Sequence, residues 1–212
     1  SEMCIRDRPN ITQTSVNVTA GMTFAVGLRA LLRQDPDIIM IGETRDAETA
    51  EISVRSAITG HLVVSTLHTN DAISSIVRLA DMGVAPYLIS NSVVGIVAQR
   101  LVRKVCQFCK YEEPATAEDI AIVGDGIPMI TRGKGCKVCN NTGYKGRISI
   151  HEMVYIDKTL KRMIARSADS QEMLEYAKKT QGMRSLMDSA IDLVKEGVTT
   201  PEEVMKIAYY SD

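Results

Sequence analysis

The segments DIIMIGETRD (residues 37–46) and TGHLVVSTLHTND (residues 59–71) decide the fold of this chain. Each segment is a short apolar run that ends abruptly in polar side chains, and residues 48–58 between them have helical character. A strand, a helix and a second strand in this order predict a parallel sheet covered by helices. Because ligands bind beyond the carboxyl ends of such strands, Glu43 and His68 are the candidate functional side chains.

Composition excludes several classes of function. The 212 residues carry 25 basic and 26 acidic side chains, and a formal net charge of −1 favours no strong attraction to nucleic acid or membranes. The absence of Trp and the presence of only two Phe leave few aromatic rings on which bases stack. No apolar run approaches the roughly 20 residues of a membrane span, and no secretory signal opens the sequence. We therefore predict a cytoplasmic protein without membrane insertion.

Apolar periodicity and helix-breaking residues give a coarse map of the secondary structure. Proline disfavours a helical residue before it, so Pro36 ends the first helix, and Asp71 is a plausible N-cap for the third. We predict helices at residues 21–34, 48–58, 71–80 and 86–101, strands at residues 37–41 and 61–67, and a helical tail at residues 158–212.

Four cysteines form two closely spaced pairs, Cys106-x2-Cys109 and Cys136-x2-Cys139, separated by residues 110–135. Two such pairs supply the four thiolates of a tetrahedral structural zinc site. Two disulfides are an alternative, although cytoplasmic thiols stay reduced, and an iron–sulfur cluster is another. The spacing therefore predicts a small zinc subdomain that depends on its metal because it has few apolar residues for a core.

The two opening segments, the string LLRQDPD at residues 31–37 and the four cysteines resemble the ATPases that drive bacterial type II secretion and type IV pilus assembly. The resemblance runs from about residue 16 to about residue 208. It implies an α/β fold with a RecA-like P-loop ATPase core, in which a parallel sheet is flanked by helices. Residues 37–46 would be the Walker B region and residues 59–71 a histidine box. Retraction ATPases of the wider superfamily generally lack the cysteines, so the resemblance favours an assembly or export motor.

The resemblance also implies a division into domains. We expect a partial ATPase core at residues 16–104, the tetracysteine zinc subdomain at 105–147, a return strand at 148–157 and a C-terminal helical region at 158–212. The first eight residues, SEMCIRDR, look like a translated sequencing adapter, so residues 1–15 are expected to be a non-native leader, with a divergent loop as the alternative. No Gly-x-x-x-x-Gly-Lys-Ser/Thr loop occurs, and we expect an N-terminally truncated chain that hydrolyses ATP poorly alone.

The resemblance assigns roles and cofactors to the candidate residues. Glu43 would orient or deprotonate the attacking water, or hold it in the Mg²⁺ shell. His68 would sense the γ-phosphate of ATP. Arg45 would stabilise developing charge, and an ordinary ion pair is the equal alternative. The implied cofactors are ATP and Mg²⁺ at Glu43 and His68, and Zn²⁺ at the four cysteines.

The resemblance finally implies partners and leaves two other functions open. The full protein would be a homo-hexamer that adds pilin or pseudopilin subunits through an inner-membrane platform protein, and would lie at the inner membrane through that partner. A non-catalytic adaptor of a secretion motor is one alternative. A zinc-dependent nucleic-acid-binding module is the other, and its phosphate contacts would come from Arg132, Lys134, Lys137, Lys145 and Arg147.

Overall fold

A computed structural model describes residues 11–208 of the chain. These residues divide into two compact units, the first made of residues 11–69, 75–94 and 156–173, the second of residues 70–74, 95–155 and 174–208. The expected non-native leader at residues 1–8 lies outside the described residues. The domain boundaries predicted from sequence stay a prediction, and they fall at other positions than the borders of the two units.

The helices and strands alternate through the first half of the chain and give way to helices at the end. The helices are α1 (Phe24–Leu31), α2 (Ala47–Ile58), α3 (Ala72–Asp81), α4 (Pro86–Ser92), α5 (Ala117–Val123), α6 (Lys158–Ala165), α7 (Ser170–Gln181), α8 (Leu186–Lys195) and α9 (Pro201–Ala208). The strands are β1 (Ile38–Ile41), β2 (Leu62–Ser65), β3 (Gly95–Val105), β4 (Lys110–Pro114), β5 (Met129–Gly133) and β6 (Tyr144–Tyr155). Among the described residues no helix is both long and apolar enough to cross a bilayer.

The first unit contains the parallel pair that the sequence predicts. Strands β1 and β2 pair in parallel, with Ile38 opposite Leu62 and Ile41 opposite Ser65. Helix α2 connects them, so the strand–helix–strand prediction is confirmed. Ile39 and Ile41 point to one side and form a small buried cluster with Leu28 of α1.

Strand β1 is buried on only one of its faces, although its apolar run is unbroken. Ile38 is 64% exposed and Met40 is 52% exposed, while Ile39 and Ile41 between them are buried. The alternation follows from the pleat, because successive side chains point to opposite faces and only one face is covered by helix α1.

The predicted helix at residues 86–101 is present as far as Ser92 and wrong beyond it. Helix α4 ends at Ser92, and β3 begins at Gly95 and runs antiparallel to β6. Val93, Val94 and the alternating residues after Gly95 favour an extended backbone, since β-branched side chains lose rotamer freedom in a helix. Pairing with β6, far away in sequence, then overrides the helical apolar spacing.

The second unit is built on the long β3–β6 ribbon and the antiparallel β4–β5 pair, whose strands are connected through α5. One face of the ribbon is buried, since Val102 and Ile150 contribute to a core that also contains Ile130 of β5. Ala190 of α8 and Val204 of α9 pack into the same core. Helices α6 to α9 follow one another between residues 158 and 208, where the sequence predicts a helical tail, and residues 209–212 of that tail lie outside the described residues.

Candidate functional site

The register of the parallel pair brings Glu43 and His68 together. Ile41 and Ser65 are register partners at the ends of β1 and β2, so the residues that follow leave the sheet at the same edge. Nε2 of His68 lies 3.4 Å from Oε2 of Glu43, at the outer limit of a hydrogen bond. The structure therefore brings together, where the two strands end, the two side chains that the sequence singled out.

Three hydroxyl groups hold the two strand ends in place, and sequence reasoning missed them. The Thr44 hydroxyl lies 2.7 Å from the Ser65 hydroxyl, and the Thr66 hydroxyl donates to the Gly42 carbonyl at 2.7 Å. The Thr44 N–H donates to the Thr66 carbonyl at 2.9 Å, which extends the pairing past the strands. The sequence does place hydroxyl residues at the ends of both strands. Which of them contact each other depends on the register of the two strands, which the sequence does not show.

Arg45 and Asp46 have different tasks in the turn after β1. Nε of Arg45 lies 2.5 Å from Oε2 of Glu43, and this hydrogen bond is the main cause of the lowered pKa of the Glu43 carboxyl. The Asp46 carboxylate accepts from the Thr49 N–H at 2.8 Å and caps α2. Arg45 is thus a direct partner of Glu43, while Asp46 fixes the helix that follows.

Of the three candidate side chains, Glu43 is mostly buried, whereas His68 and Arg45 are mostly exposed to solvent. The Glu43 side chain is only 18% exposed, whereas those of His68 and Arg45 are 85% and 68% exposed. Glu43 is therefore held in position by its surroundings, while the His68 imidazole and Arg45 guanidinium present most of their surface to solvent. A carboxylate, an imidazole and a guanidinium at one strand edge can contact water, Mg²⁺ and phosphate oxygens.

In the second unit the four cysteines of the two pairs converge. Their sulfur atoms all lie within 4.8 Å of one another. Sγ of Cys106 lies 3.9 Å from Sγ of Cys136, Cys109 lies at the same distance from Cys139, and the sulfurs of Cys136 and Cys139 are 3.7 Å apart. Ligands about 2.3 Å from a tetrahedral zinc ion have sulfur–sulfur distances of about 3.8 Å. The donor set therefore fits one tetrahedrally bound ion.

Backbone contacts that only glycine allows shape the two cysteine loops. Gly143 has a φ of +77°, and a Cβ there would lie 2.5 Å from the Gly133 carbonyl oxygen. The Gly143 carbonyl also accepts from the Cys106 N–H at 2.9 Å, and the Lys134 N–H donates to the Cys109 carbonyl at 3.1 Å. The first and second cysteine pairs are thus held against each other by main-chain hydrogen bonds.

The local environment acts on two of the thiols in opposite directions. Burial raises the pKa of the Cys109 thiol to about 12. Burial also opposes ionisation of Cys139, but the backbone N–H groups of Cys136 and Gly143 outweigh it and hold that pKa at about 6. N–H groups aimed at a sulfur stabilise thiolate, which is the form that binds metal.

Arg132, one of the basic residues predicted as a phosphate contact, forms ion pairs within the protein. The Arg132 guanidinium pairs with Glu113 at 2.5 Å, with Asp119 at 2.8 Å and with Glu202. These carboxylates neutralise the positive charge of Arg132 within the second unit. The hypothesis of a nucleic-acid-binding module, which used Arg132 as a phosphate contact, is therefore weaker.

The chain is similar to proteins of secretion and pilus machinery. The chain is 48% identical over 201 residues to the type II secretion system protein HxcR of Pseudomonas aeruginosa, covering 95% of this chain and 40% of that protein. It is 46% identical over 202 residues to the type IV pilus assembly ATPase PilB of Thermus thermophilus, covering 93% of this chain and 23% of that protein. The chain spans about two fifths or less of these relatives.

Solved structures show the same architecture. The pilus retraction motor PilT with bound ADP superposes with a TM-score of 0.61 at 28% identity, covering 87% of this chain and 43% of that chain. The ATPase DotB of Legionella pneumophila gives a TM-score of 0.62 at 20% identity, over 95% and 48% of the two chains, which bears on the fold alone. The fold is therefore that of the RecA-like ATPases.

A family model described as Type II/IV secretion system protein matches residues 6–206. This chain belongs to that family, so the resemblance identified from sequence is confirmed.

Proposed function

We propose that this chain is part of an ATP-hydrolysing motor that powers pilin or pseudopilin assembly in type IV pilus biogenesis or type II secretion. The observation that carries the proposal is the Glu43–His68 pair, whose carboxylate and imidazole lie 3.4 Å apart at the carboxyl edge of a parallel sheet. Its relatives are named as proteins of these two machineries, one of them an assembly ATPase.

Glu43 acts on the water that attacks the terminal phosphate of ATP. A carboxyl whose pKa is lowered by Arg45 is a weak proton acceptor, so orienting the water or holding it in the Mg²⁺ shell fits better than deprotonating it. His68, with most of its imidazole exposed beside Glu43, senses the γ-phosphate. Arg45 keeps Glu43 ionised and adds positive charge near the phosphates.

The four cysteines hold a structural zinc ion. The sulfur–sulfur distances of 3.7–3.9 Å leave room for a single ion and are far from the ~2.05 Å of a disulfide bond. Zinc bound by four thiolates has no open position for a substrate, so its task is to hold β3 and the cysteine loops together. A single-ion site is also too small for an iron–sulfur cluster of several irons.

The motor acts as a homo-hexamer that reaches the inner membrane through a platform protein. The support for these partners is the membership of the family and the names of the relatives, which belong to secretion and pilus machinery.

Substitution of Glu43 tests the proposal. The chain would be placed in HxcR in exchange for the segment it matches, and ATP turnover would be measured in that chimera with and without Glu43→Gln. Because glutamine keeps the shape but loses the charge, we expect kcat to fall by about 100-fold or more while ATP binding persists. Glu51→Gln is the matched control, since Glu51 is an exposed glutamate that pairs with Arg55 on α2. Equal turnover in the Glu43 variant would instead favour the non-catalytic adaptor.

A further inference from the structure

Thr66, the first residue after β2, binds both chain neighbours of Glu43, and the proposed chemistry assigns it no part. Its hydroxyl donates to the Gly42 carbonyl at 2.7 Å. Its own carbonyl accepts from the Thr44 N–H at 2.9 Å. Gly42 and Thr44 lie immediately before and after Glu43, so one residue of the neighbouring strand end fixes the main chain on both sides of the carboxylate.

These bonds lie beyond the regular pairing of the two strands. The last register pair joins Ile41 to Ser65. Gly42 and Thr66 follow that pair, where the ladder no longer sets the spacing of the two segments. A further link is the 2.7 Å contact between the hydroxyls of Ser65 and Thr44, the second of which is only 6% exposed. Three hydrogen bonds therefore hold the two segments together after the sheet has ended.

The same residue limits where His68 can lie. Only Leu67 separates Thr66 from His68, and a single residue adds two soft dihedrals. The His68 side chain is 85% exposed, so few neighbours pack around its imidazole. Its place 3.4 Å from the Glu43 carboxylate therefore depends on the main chain, which Thr66 ties to the turn that carries Glu43.

The hydroxyl is the part of Thr66 that makes this link. Thr66 is exposed, so its methyl group buries little apolar surface. Valine would suit the end of a strand equally well, because it has the same branched shape. Valine would leave the Gly42 carbonyl to accept from water, which does not connect the two strand ends.

We propose that Thr66 is a positioning residue: its hydroxyl, bound to the Gly42 carbonyl, keeps Glu43 and His68 in contact where β1 and β2 end. All of these residues belong to the first unit. The catalytic consequence rests on the proposed function, whereas the positional consequence is a property of the chain itself and is measured without nucleotide.

Amide hydrogen exchange at Thr44 tests the link between the strand ends. Loss of one hydrogen bond in Thr66→Val should accelerate this exchange about tenfold, and Thr66→Ser, which keeps the hydroxyl, should stay within about twofold of the wild type. Thr66→Ala also lacks the hydroxyl and should behave like Thr66→Val. Thr59→Val is the matched control, since the Thr59 hydroxyl donates to the Ser56 carbonyl at 3.0 Å at the far end of α2. Equal exchange in the valine, alanine and serine variants would show that the hydroxyl is not the link and would overturn the proposal.

A ¹³C titration of the Glu43 carboxyl tests the contact itself. Arg45 is the main cause of the lowered pKa of Glu43, and the contact with His68 lowers it further. His68→Ala should therefore raise the pKa of Glu43 in the wild-type background. It should have no further effect in the Thr66→Val background, where the contact is already lost, and should act again in the Thr66→Ser background. An equal rise in all three backgrounds, or no rise in any, would contradict the proposal.

A double-mutant cycle in the HxcR chimera tests the catalytic consequence. We expect Thr66→Val to lower kcat about tenfold with the KM for ATP changed less than about twofold, and to have no further effect when His68→Ala is present. Thr66→Ser should restore most of the lost turnover. Additive losses would show that Thr66 acts independently of His68 and would count against the proposal. If His68→Ala alone left kcat unchanged, the sensor role would be wrong, and the titration of Glu43 would still decide the positional claim.

Discussion

At the scale of single residues, three glutamates show how surroundings set the pKa of a carboxyl. Hydrogen bonding to Arg45 lowers the pKa of Glu43, and burial raises that of Glu152. Burial opposes ionisation of Glu203 as well, but Arg103 and Lys206 outweigh it and hold the pKa at about 2. The same side chain is thus kept ionised where cations contact it and becomes harder to ionise where burial outweighs its backbone N–H partners.

Glu203 gives a prediction about stability and pH. Its carboxylate accepts from the backbone N–H of Arg103 at 2.9 Å and from Nη2 of the same residue at 2.8 Å, and Glu203→Gln removes the charge. We expect roughly 2 kcal/mol of destabilisation at pH 7, less than the 3–5 kcal/mol for a fully buried pair, since the Arg103 side chain is 42% exposed. Urea titrations of both proteins would measure the difference.

The pH dependence of that difference has a definite sign. The folded-state pKa of Glu203 lies below its ordinary value of 4.5, so its contribution is complete above about pH 4.5 and is lost as pH falls towards about 2. The two proteins should therefore converge in stability on acidification. Glu196→Gln, at an exposed glutamate of the same unit, should change little at any pH. A Glu203 variant that stays equally destabilised at pH 2 would contradict this account.

At the scale of elements, the cysteine loops depend on a close approach of two main-chain segments. Gly133 ends β5, Gly143 precedes β6, and a Cβ on either residue would lie within 2.5 Å of the other's carbonyl oxygen. The separation of the cysteine pairs is therefore fixed by the strands and their glycines as well as by any metal. A side chain at either position would force the loops apart.

Gly143→Ala tests this dependence. The variant would combine a steric overlap with a positive φ that alanine disfavours, and we expect a loss of about 2 kcal/mol or more together with reduced zinc retention. Thermal unfolding and zinc content after dialysis would measure both effects. Gly126→Ala is the control, since a Cβ there meets no atom within 4 Å. Full zinc retention by the Gly143 variant would contradict the prediction, since it would show that the metal site does not depend on the close approach of Gly133 and Gly143.

At the scale of the whole molecule, we expect the metal to add stability to the second unit, which already has a hydrophobic core. The second unit contains a cluster of ten buried apolar residues drawn from β3, β5, β6, α8 and α9, among others. Unlike a small zinc finger, it does not lack a hydrophobic core. Metal removal should therefore lower stability without abolishing the fold of this unit.

Chelation under reducing conditions tests that expectation. We expect the zinc-loaded chain to hold one zinc and to lose about 10 °C in Tm on removal of the metal, with most helical circular dichroism retained at 25 °C. Cys109→Ser should give the same loss. Cys4→Ser, at the cysteine outside the two pairs and outside the described residues, should leave the zinc content unchanged. Less than one zinc in the wild-type chain would contradict the assignment.

Local patterns predicted much of this molecule. The two apolar runs with their polar ends gave the parallel pair and the Glu43–His68 edge, and the cysteine spacing gave the cluster, because these features depend on neighbours in sequence. Residues 93–101 were misassigned, since apolar residues there satisfy a helical spacing and an extended one equally well. Pairing with β6 selects the extended backbone over the helix. Because β6 is distant in sequence, no local pattern at residues 93–101 could reveal this pairing.

By itself the amino-acid sequence determined the family, the strand–helix–strand order and the identities of the candidate ligands, since each rests on short spacings along the chain. Only the tertiary structure showed that Thr44, Ser65 and Thr66 join the strand ends. It alone placed the Glu152 carboxylate at the first N–H groups of α3 and α8. Hydrogen bonds between residues tens of positions apart depend on register and packing, which the folded chain sets and the linear pattern does not contain.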